Sequence, residues 1–148
     1  WTFHPDPKLA NALGLRYIDL PELLRTSDIV SLHLRATPET KHFLSRERLA
    51  LLKAGAILVN TARGSLVDEA ALVELLREKR IAAAGLDVFD TEPLPAGHPL
   101  TALPNVLLTP HAAGMTPEVI QNGLAMAVEN IEHFLHGKPT HVVPPPKS

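Results

Sequence analysis

Short apolar segments alternate along the chain with stretches of helical character, and this alternation constrains the fold more than any other feature. Apolar runs of strand length occupy residues 29–34, 56–60, 82–88 and 106–109. Their length and composition predict β-strands. Because these runs are continuously apolar, we expect strands that are covered on both faces, as in a parallel sheet.

Helical signals fall between and after the predicted strands. Pro21 stands early in one helix, and Ser45 is expected to cap a second helix that ends near Lys53. Asp68 begins a third helix, whose apolar positions share one face. A long helix is predicted for residues 117–136, with Gly137 just beyond its end. This order predicts an α/β fold with right-handed crossovers.

Composition excludes several classes of function. The 148 residues include 14 Lys and Arg against 16 Asp and Glu, a net charge of −2, whereas nucleic-acid-binding domains carry a basic excess. The chain has no cysteine, so disulfides and thiolate metal sites are impossible, and the spacing of its histidines predicts no metal site. No apolar run approaches the ~20 residues of a membrane helix. We therefore expect one packed domain without nucleic-acid, membrane or metal partners.

Polar side chains follow three of the predicted strands, although the sequence contains no G-x-G-x-x-G and no P-loop. Arg63 follows the strand at 56–60, Asp87 and Glu92 lie at and after the end of the strand at 82–88, and His111 follows the last strand. In an open parallel sheet the ligand crevice lies outside the carboxyl ends of the strands. Each of these residues alone is more often a solvated charge or a packing residue. Together they predict a site at one edge of the sheet.

The combination of Arg63, Glu92 and His111 has a chemical interpretation. A protonated histidine can give a proton to a ketone oxygen, and a neighbouring carboxylate fixes the tautomer of the ring and favours its charged form. An arginine can hold a substrate carboxylate in a bidentate fork. These groups suit the reduction of a 2-keto acid or the oxidation of a 2-hydroxy acid, with the hydride carried by a cofactor.

Four ordered segments resemble the D-isomer-specific 2-hydroxyacid dehydrogenase family. The signature-like segment is NTARGSLVDEAAL at residues 60–72, followed by GLDVFDTEP at 85–93 and NVLLTPH at 105–111. DIVSLHL at 28–34, followed by TPETK at 37–41, resembles the preceding family segment. The resemblance extends from about residue 17 to residue 137. It implies a nicotinamide-dependent oxidoreductase that acts on a D-2-hydroxy acid or a 2-keto acid.

The resemblance also implies a role for each site residue. Arg63 would bind the substrate carboxylate and carbonyl, His111 would be the general acid–base, and Glu92 would be its partner. The remaining residues would contact the dinucleotide. Asp87, Thr61, Ala62, Arg63, His111 and Gly114 would lie at the nicotinamide, His33, Leu34 and Thr40 near the adenosine half, and Thr2 near the ribose.

The resemblance leads us to expect a partial Rossmann-like, doubly wound parallel sheet that lacks its first βα unit and its glycine-rich loop. The chain begins at Trp1, and residues 1–4 read as the end of a strand. We therefore expect a longer native protein and an inactive isolated chain. Residues 1–116 would belong to the dinucleotide-binding domain, and residues 117–148 would form a long helix and a proline-rich tail that cross towards a substrate domain.

Several alternatives stay open at this stage. No arginine stands near Thr2 to bind a 2′-phosphate, which favours NAD over NADP. The identity of the 2-hydroxy acid is not encoded here. A homodimer and a cytoplasmic location are implied by the resemblance. The competing interpretations are a dinucleotide-sensing binding module, like the corepressor branch of the family, and an inactive fragment of the dehydrogenase.

Overall fold

The computed structural model describes residues 1–144, and its centre is a parallel sheet of four strands. The strands are β1 (Ile29–Leu32), β2 (Ile57–Asn60), β3 (Ala83–Leu86) and β4 (Val106–Leu108), and they are hydrogen-bonded in that sequential order. All four predicted strands are present, although each is shorter than predicted. The α/β prediction with a parallel sheet is confirmed.

Residues 1–144 also contain five α-helices: α1 (Pro7–Leu13), α2 (Leu20–Thr26), α3 (Arg46–Leu49), α4 (Glu69–Arg77) and α5 (Pro117–Leu135). Short 3-10 turns lie at Pro38–Thr40, Gly64–Leu66 and Pro99–Ala102. The predicted caps at Ser45 and Asp68 are confirmed, since their side chains accept hydrogen bonds from the backbone amides of Arg48 and Ala71. Gly137 adopts a φ of 68° just after α5, as expected for a residue beyond a helix end.

The helix predicted from Ser45 to Lys53 ends after one turn. The amides of Leu51 and Leu52 bond to carbonyls three residues back, at Arg48 and Leu49, which is 3-10 rather than α geometry. The amide of Lys53 bonds instead to the carbonyl of Leu24 in α2, at 3.0 Å. A tertiary contact therefore ends the helix.

The amino-terminal prediction was wrong, because residues 1–4 form no strand. The rings of Trp1 and Phe3 pack against Phe43 instead, with centroid distances of 5.1 and 5.9 Å. Helix α1 follows, a helix that the sequence analysis did not predict. Its signals were present, since Asp6 caps it and Gly14 ends it with a φ of 62°.

One face of the sheet carries the core. Leu24 of α2, Leu49 of α3 and Leu72 of α4 are buried in one cluster with Leu58 and Leu86 of the sheet. On the opposite face Ile29 and Leu107 are 62% and 70% exposed. The prediction that both faces of the sheet are covered is therefore confirmed for one face and wrong for the other within residues 1–144. The physical reason is that right-handed crossovers between strands in sequential order place their connecting segments on one side.

The chain divides into two compact units, residues 1–111 and the part that begins at Ala112. The second unit contains α5, in which no residue is buried. The domain assignment of residues 1–116 and 117–148 stays a prediction, and the last part of the predicted proline-rich tail, residues 145–148, lies outside the described residues. Within residues 1–144 no helix has both the length and the hydropathy for crossing a membrane.

The segments that follow β2 and β3 touch each other through Gly64. A Cβ placed on Gly64 would lie 1.9 Å from the carbonyl carbon of Phe89 and 2.4 Å from the amide nitrogen of Asp90. Both neighbours are backbone atoms, which cannot rotate away. Only glycine allows this contact, which brings the loop that carries Arg63 against the loop that carries Glu92.

We expect Gly64→Ala to lower the free energy of unfolding by about 3 kcal/mol, the upper end of the usual cost of overpacking. Urea unfolding of the variant and of the unaltered chain measures the difference. Gly85→Ala in β3 is the matched control, because an added Cβ there meets nothing within 4 Å. Equal losses from both substitutions would contradict the contact at Gly64.

Candidate active site

Asn60, the last residue of β2, shapes the loop that carries Arg63. Its side chain is 1% exposed, accepts a hydrogen bond from the amide of Ala62 at 3.0 Å and donates one to the carbonyl of Arg63 at 2.9 Å. A buried amide that satisfies two backbone groups fixes the loop between them. From the sequence, Asn60 stands out only as part of the motif at residues 60–72. A polar residue that ends an apolar strand was the available signal.

The ends of β3 and β4 are tied together by Asp87 and Thr109. Asp87 is buried and accepts a hydrogen bond from the hydroxyl of Thr109. The amide of Asp87 bonds to the carbonyl of Asn60 at 3.0 Å, and the amide of Thr109 bonds to the carbonyl of Leu86 at 3.0 Å. The predicted residue Asp87 is therefore held rigidly at the carboxyl edge. Its contact with a nicotinamide stays a prediction.

Glu92 and His111, which are 19 residues apart in the sequence, meet at this edge. Glu92 Oε2 lies 2.8 Å from Nδ1 of His111, and Glu92 Oε1 accepts a hydrogen bond from the amide of Phe89 at 2.9 Å. Because an ionised carboxylate only accepts hydrogen bonds, Nδ1 of His111 is the donor. The pairing fixes the ring and directs Nε2 away from Glu92. The two side chains are 35% and 45% exposed, so a small molecule can reach the pair.

The backbone presents His111 in an uncommon conformation. Its φ is 53°, in the left-handed region, and its amide bonds to the carbonyl of Thr109 at 3.1 Å across Pro110. Such conformations cost free energy in residues other than glycine and cluster at functional sites. The turn after β4 therefore brings the imidazole back towards Glu92.

Electrostatics at the pair favour the ionised form of Glu92. The hydrogen bond from His111 lowers the pKa of Glu92 below its ordinary value of 4.5, and the hydrogen bond from Phe89 and the positive charge of Arg63 lower it further. The Nη1 of Arg63 donates to the carbonyl of Ala62 at 2.6 Å. The structure thus brings two of the three predicted catalytic residues, Glu92 and His111, into direct contact, while Arg63 lies in the loop after β2 and lines a separate cavity.

Two cavities open at the carboxyl edge. The first, about 640 Å³, is lined by Glu92, Thr109 and His111 together with apolar residues that include Phe89 and Leu94. The second, about 500 Å³, is lined by residues 33–36 and by Ala62 and Arg63. His33, Leu34, Ala62 and Arg63, which were predicted to contact a dinucleotide, therefore share one cavity. Arg35 lies in the same wall and adds a second positive charge.

The remaining predicted contacts lie elsewhere. Thr40 is buried, and its hydroxyl donates to the carbonyl of Arg35 at 2.8 Å, so it supports the wall of the second cavity. Thr61 is exposed in the loop after β2. Thr2 accepts a hydrogen bond from the amide of His4 at 3.3 Å, and Gly114 belongs to the second unit. Their roles at a dinucleotide stay predictions.

Comparisons with known proteins identify the family and several relatives of this chain. Residues 1–113 match the family model described as D-isomer specific 2-hydroxyacid dehydrogenase, NAD binding domain. Glyoxylate reductase of Aeropyrum pernix is 51% identical over 138 residues, which cover 93% of this chain and 40% of that protein.

Two solved structures are similar to this chain. D-lactate dehydrogenase with NAD⁺ from Lactobacillus jensenii matches with a TM-score of 0.87 and 33% identity, covering 97% of this chain and 47% of that one. An acyclic imino acid reductase in complex with NADPH and D-Arg matches with a TM-score of 0.81 and 38% identity, covering 88% and 42%. The chain therefore spans less than half the length of each of these three proteins.

The lowered pKa of Glu92 predicts a pH-dependent stability difference between the unaltered chain and Glu92→Gln. A group whose pKa is lower in the folded state stabilises that state above its ordinary pKa, here 4.5, and loses this effect as the pH falls through the lowered value. We expect the difference in unfolding free energy to be largest above pH 4.5 and to shrink on acidification. Urea unfolding of both proteins, at pH values above and below 4.5, measures this difference.

The matched control is the same substitution in a His111→Ala background. Because the hydrogen bond from His111 is the largest cause of the shift, the pH dependence should weaken there. A stability difference that stays constant across the pH range, or a pH dependence that is undiminished in the His111→Ala background, would contradict the assignment.

Proposed function

Because the chain belongs to the D-isomer specific 2-hydroxyacid dehydrogenase family, we propose that it supplies the acid–base pair of a dinucleotide-dependent oxidoreductase. The reaction is hydride transfer between a nicotinamide dinucleotide and a D-2-hydroxy acid or 2-keto acid. The observation that carries this proposal is the hydrogen bond between Glu92 and His111, at 2.8 Å. The chain would form the carboxyl-terminal part of the dinucleotide-binding domain.

The three side chains have separate roles in the reduction of a 2-keto acid. Protonated His111 gives a proton from Nε2 to the carbonyl oxygen of the substrate, and Glu92 holds the ring by Nδ1 throughout. Arg63 exchanges its contact with the carbonyl of Ala62 for the substrate carboxylate, which a guanidinium binds in a fork. In the oxidation direction the neutral ring of His111 takes the proton from the hydroxyl group.

The residues at the carboxyl edge fit a dinucleotide. Arg35 lines the 500 Å³ cavity and offers positive charge to a phosphate of the dinucleotide, while His33, Leu34 and Ala62 supply its other walls. Asp87 would accept a hydrogen bond from a nicotinamide carboxamide. When bound, the cofactor supplies the hydride, which no side chain can supply. Relatives with NAD⁺ and with NADPH are known, and we favour NAD because no arginine stands near Thr2.

A small 2-keto acid such as glyoxylate is our proposed substrate. Support comes from the 51% identity to a glyoxylate reductase. A homodimer and a cytoplasmic location complete the proposal, on the family resemblance.

In the natural polypeptide we expect His111→Ala to lower kcat by about 10²- to 10⁴-fold, the usual contribution of a general acid–base group. The affinity for NADH should change little, because His111 lies outside the cavity that residues 33–36 line. We expect Arg63→Ala to abolish measurable turnover through lost binding of the substrate carboxylate. Steady-state kinetics with glyoxylate and NADH measure both effects.

Arg46→Ala is the control for the arginine substitution, since Arg46 pairs with Glu74 on the surface. Normal turnover from the His111 or the Arg63 variant would refute the proposed function. Dinucleotide-dependent capture of a protein partner, without turnover of any 2-keto acid, would favour the binding-module alternative.

We expect the isolated 148-residue chain to be inactive, because it spans about 40% of its glyoxylate reductase relative. The intact mass of the natural polypeptide, compared with the 16.1 kDa of this chain, decides which molecule to assay. A larger mass calls for assays of the whole polypeptide with several 2-keto acids. Turnover by the 148-residue chain alone would show that the additional length of the relatives is dispensable.

A further inference from the structure

A second carboxylate–histidine pair lies next to the segment that carries Glu92. Oε1 of Glu69, the first residue of α4, lies 3.1 Å from Nε2 of His98. The two side chains are only 20% and 19% exposed. Neither residue has a part in the function proposed above, and the sequence analysis assigned a role to neither.

The hydrogen bonds of His98 show which ring nitrogen carries the proton that is donated to Glu69. Nδ1 of His98 accepts a hydrogen bond from the amide of Leu100 at 3.3 Å, at the start of the 3-10 turn Pro99–Ala102. A ring nitrogen that accepts carries no proton, so the proton lies on Nε2 and is donated to Glu69. The carbonyl of His98 also accepts from the amide and the hydroxyl of Thr101, at 3.0 and 2.7 Å. Both nitrogens of the His98 ring are therefore held by hydrogen bonds, and so is the backbone carbonyl of His98.

Glu69 connects this anchored ring to the segment that carries Glu92. Its second carboxylate oxygen, Oε2, accepts a hydrogen bond from the amide of Asp90 at 3.3 Å. The preceding amide, that of Phe89, donates to Glu92 Oε1 at 2.9 Å. Two consecutive amides thus point to two different glutamates. Glu69 binds the N–H of the Phe89–Asp90 peptide, and this peptide is joined through the Cα of Phe89 to the Val88–Phe89 peptide, whose N–H binds Glu92.

The same stretch of backbone is held from another side by Gly64, against which the carbonyl of Phe89 and the amide of Asp90 pack. Gly64 permits this close approach to the loop of Arg63 by packing, and packing fixes a distance rather than a hydrogen-bond direction. Glu69 supplies a directional contact, because its Oε2 accepts the hydrogen bond from the amide of Asp90 at 3.3 Å.

We propose that Glu69 and His98 are positioning residues, which hold the Phe89–Asp90 peptide so that the Phe89 amide keeps the Glu92 carboxylate aligned on Nδ1 of His111. The expected effect on catalysis rests on the proposed function, whereas the alignment of Glu92 on His111 is independent of it. Neither Glu69 nor His98 touches the reacting atoms, so both act through Glu92.

The experiment compares Glu69→Gln with Glu74→Gln in the natural polypeptide. A glutamine side chain keeps one oxygen that accepts hydrogen bonds, but its amide nitrogen cannot accept, so either Asp90 or His98 loses its partner in Glu69→Gln. Glu74 lies on the same helix and pairs with Arg46 at the surface, so its substitution removes a comparable charge and leaves the Glu92 segment untouched.

The first readout is the titration of the Glu92 carboxyl group by NMR, which does not depend on activity. Because hydrogen bonds from His111 and Phe89 lower its pKa, a misaligned carboxylate should titrate closer to 4.5, its ordinary value, in Glu69→Gln and not in Glu74→Gln. The second readout is kinetic. We expect kcat to fall by about 10- to 100-fold, as for other displacements of a catalytic group, while KM for glyoxylate changes less than about twofold.

The outcomes separate this inference from the proposed function. If Glu69→Gln and Glu74→Gln leave the titration of Glu92 equally unchanged, the positioning role is overturned. If the titration shifts as expected but the unaltered polypeptide reduces no 2-keto acid, the alignment is supported and the proposed function fails. If Glu69→Gln does not fold, His98→Ala decides. It keeps the bond from Asp90 to Glu69, and it should shift the titration in the same direction by a smaller amount, whereas no shift overturns the proposal.

Discussion

Parallel pairing of four strands in sequential order is the constraint from which the rest of the molecule follows. It brings all four carboxyl ends to one edge, so the loops that carry Arg63, Glu92 and His111 meet although they are far apart in the sequence. It also places the connecting helices on one side, which buries one face of the sheet and exposes apolar residues on the other. Site and core are thus two consequences of the same topology.

Buried polar groups convert that shared edge into a defined site. Asn60 and Asp87, which are nearly inaccessible, bond to backbone or side-chain groups of the neighbouring loops. A buried polar group that lost its partner would cost about 1–3 kcal/mol. These residues therefore tolerate few alternative loop conformations, and the loops hold their shapes before any ligand arrives.

The carboxylate of Glu92 depends on several contacts behind it. Glu92 is fixed by the amide of Phe89, the next amide is bound by Glu69, and Glu69 is bound by the anchored ring of His98. Each hydrogen bond contributes little free energy by itself, but each restricts the conformations that are open to the Glu92 side chain or to the segment that supports it. Gly64 completes this support by close packing, since no other residue fits against the peptide between Phe89 and Asp90.

The sequence by itself determined the strands, the caps at Ser45 and Asp68, and the three residues of the candidate catalytic group, because apolar runs, capping side chains and strand-end positions are local patterns. Tertiary structure decided where α3 stops, since the Lys53 amide bonds to Leu24. It also decided that residues 1–4 pack on Phe43 rather than extend a strand. The roles of Asn60, Gly64, Glu69 and His98 could not be read from the sequence, because each depends on a contact between segments that only the folded sheet brings together.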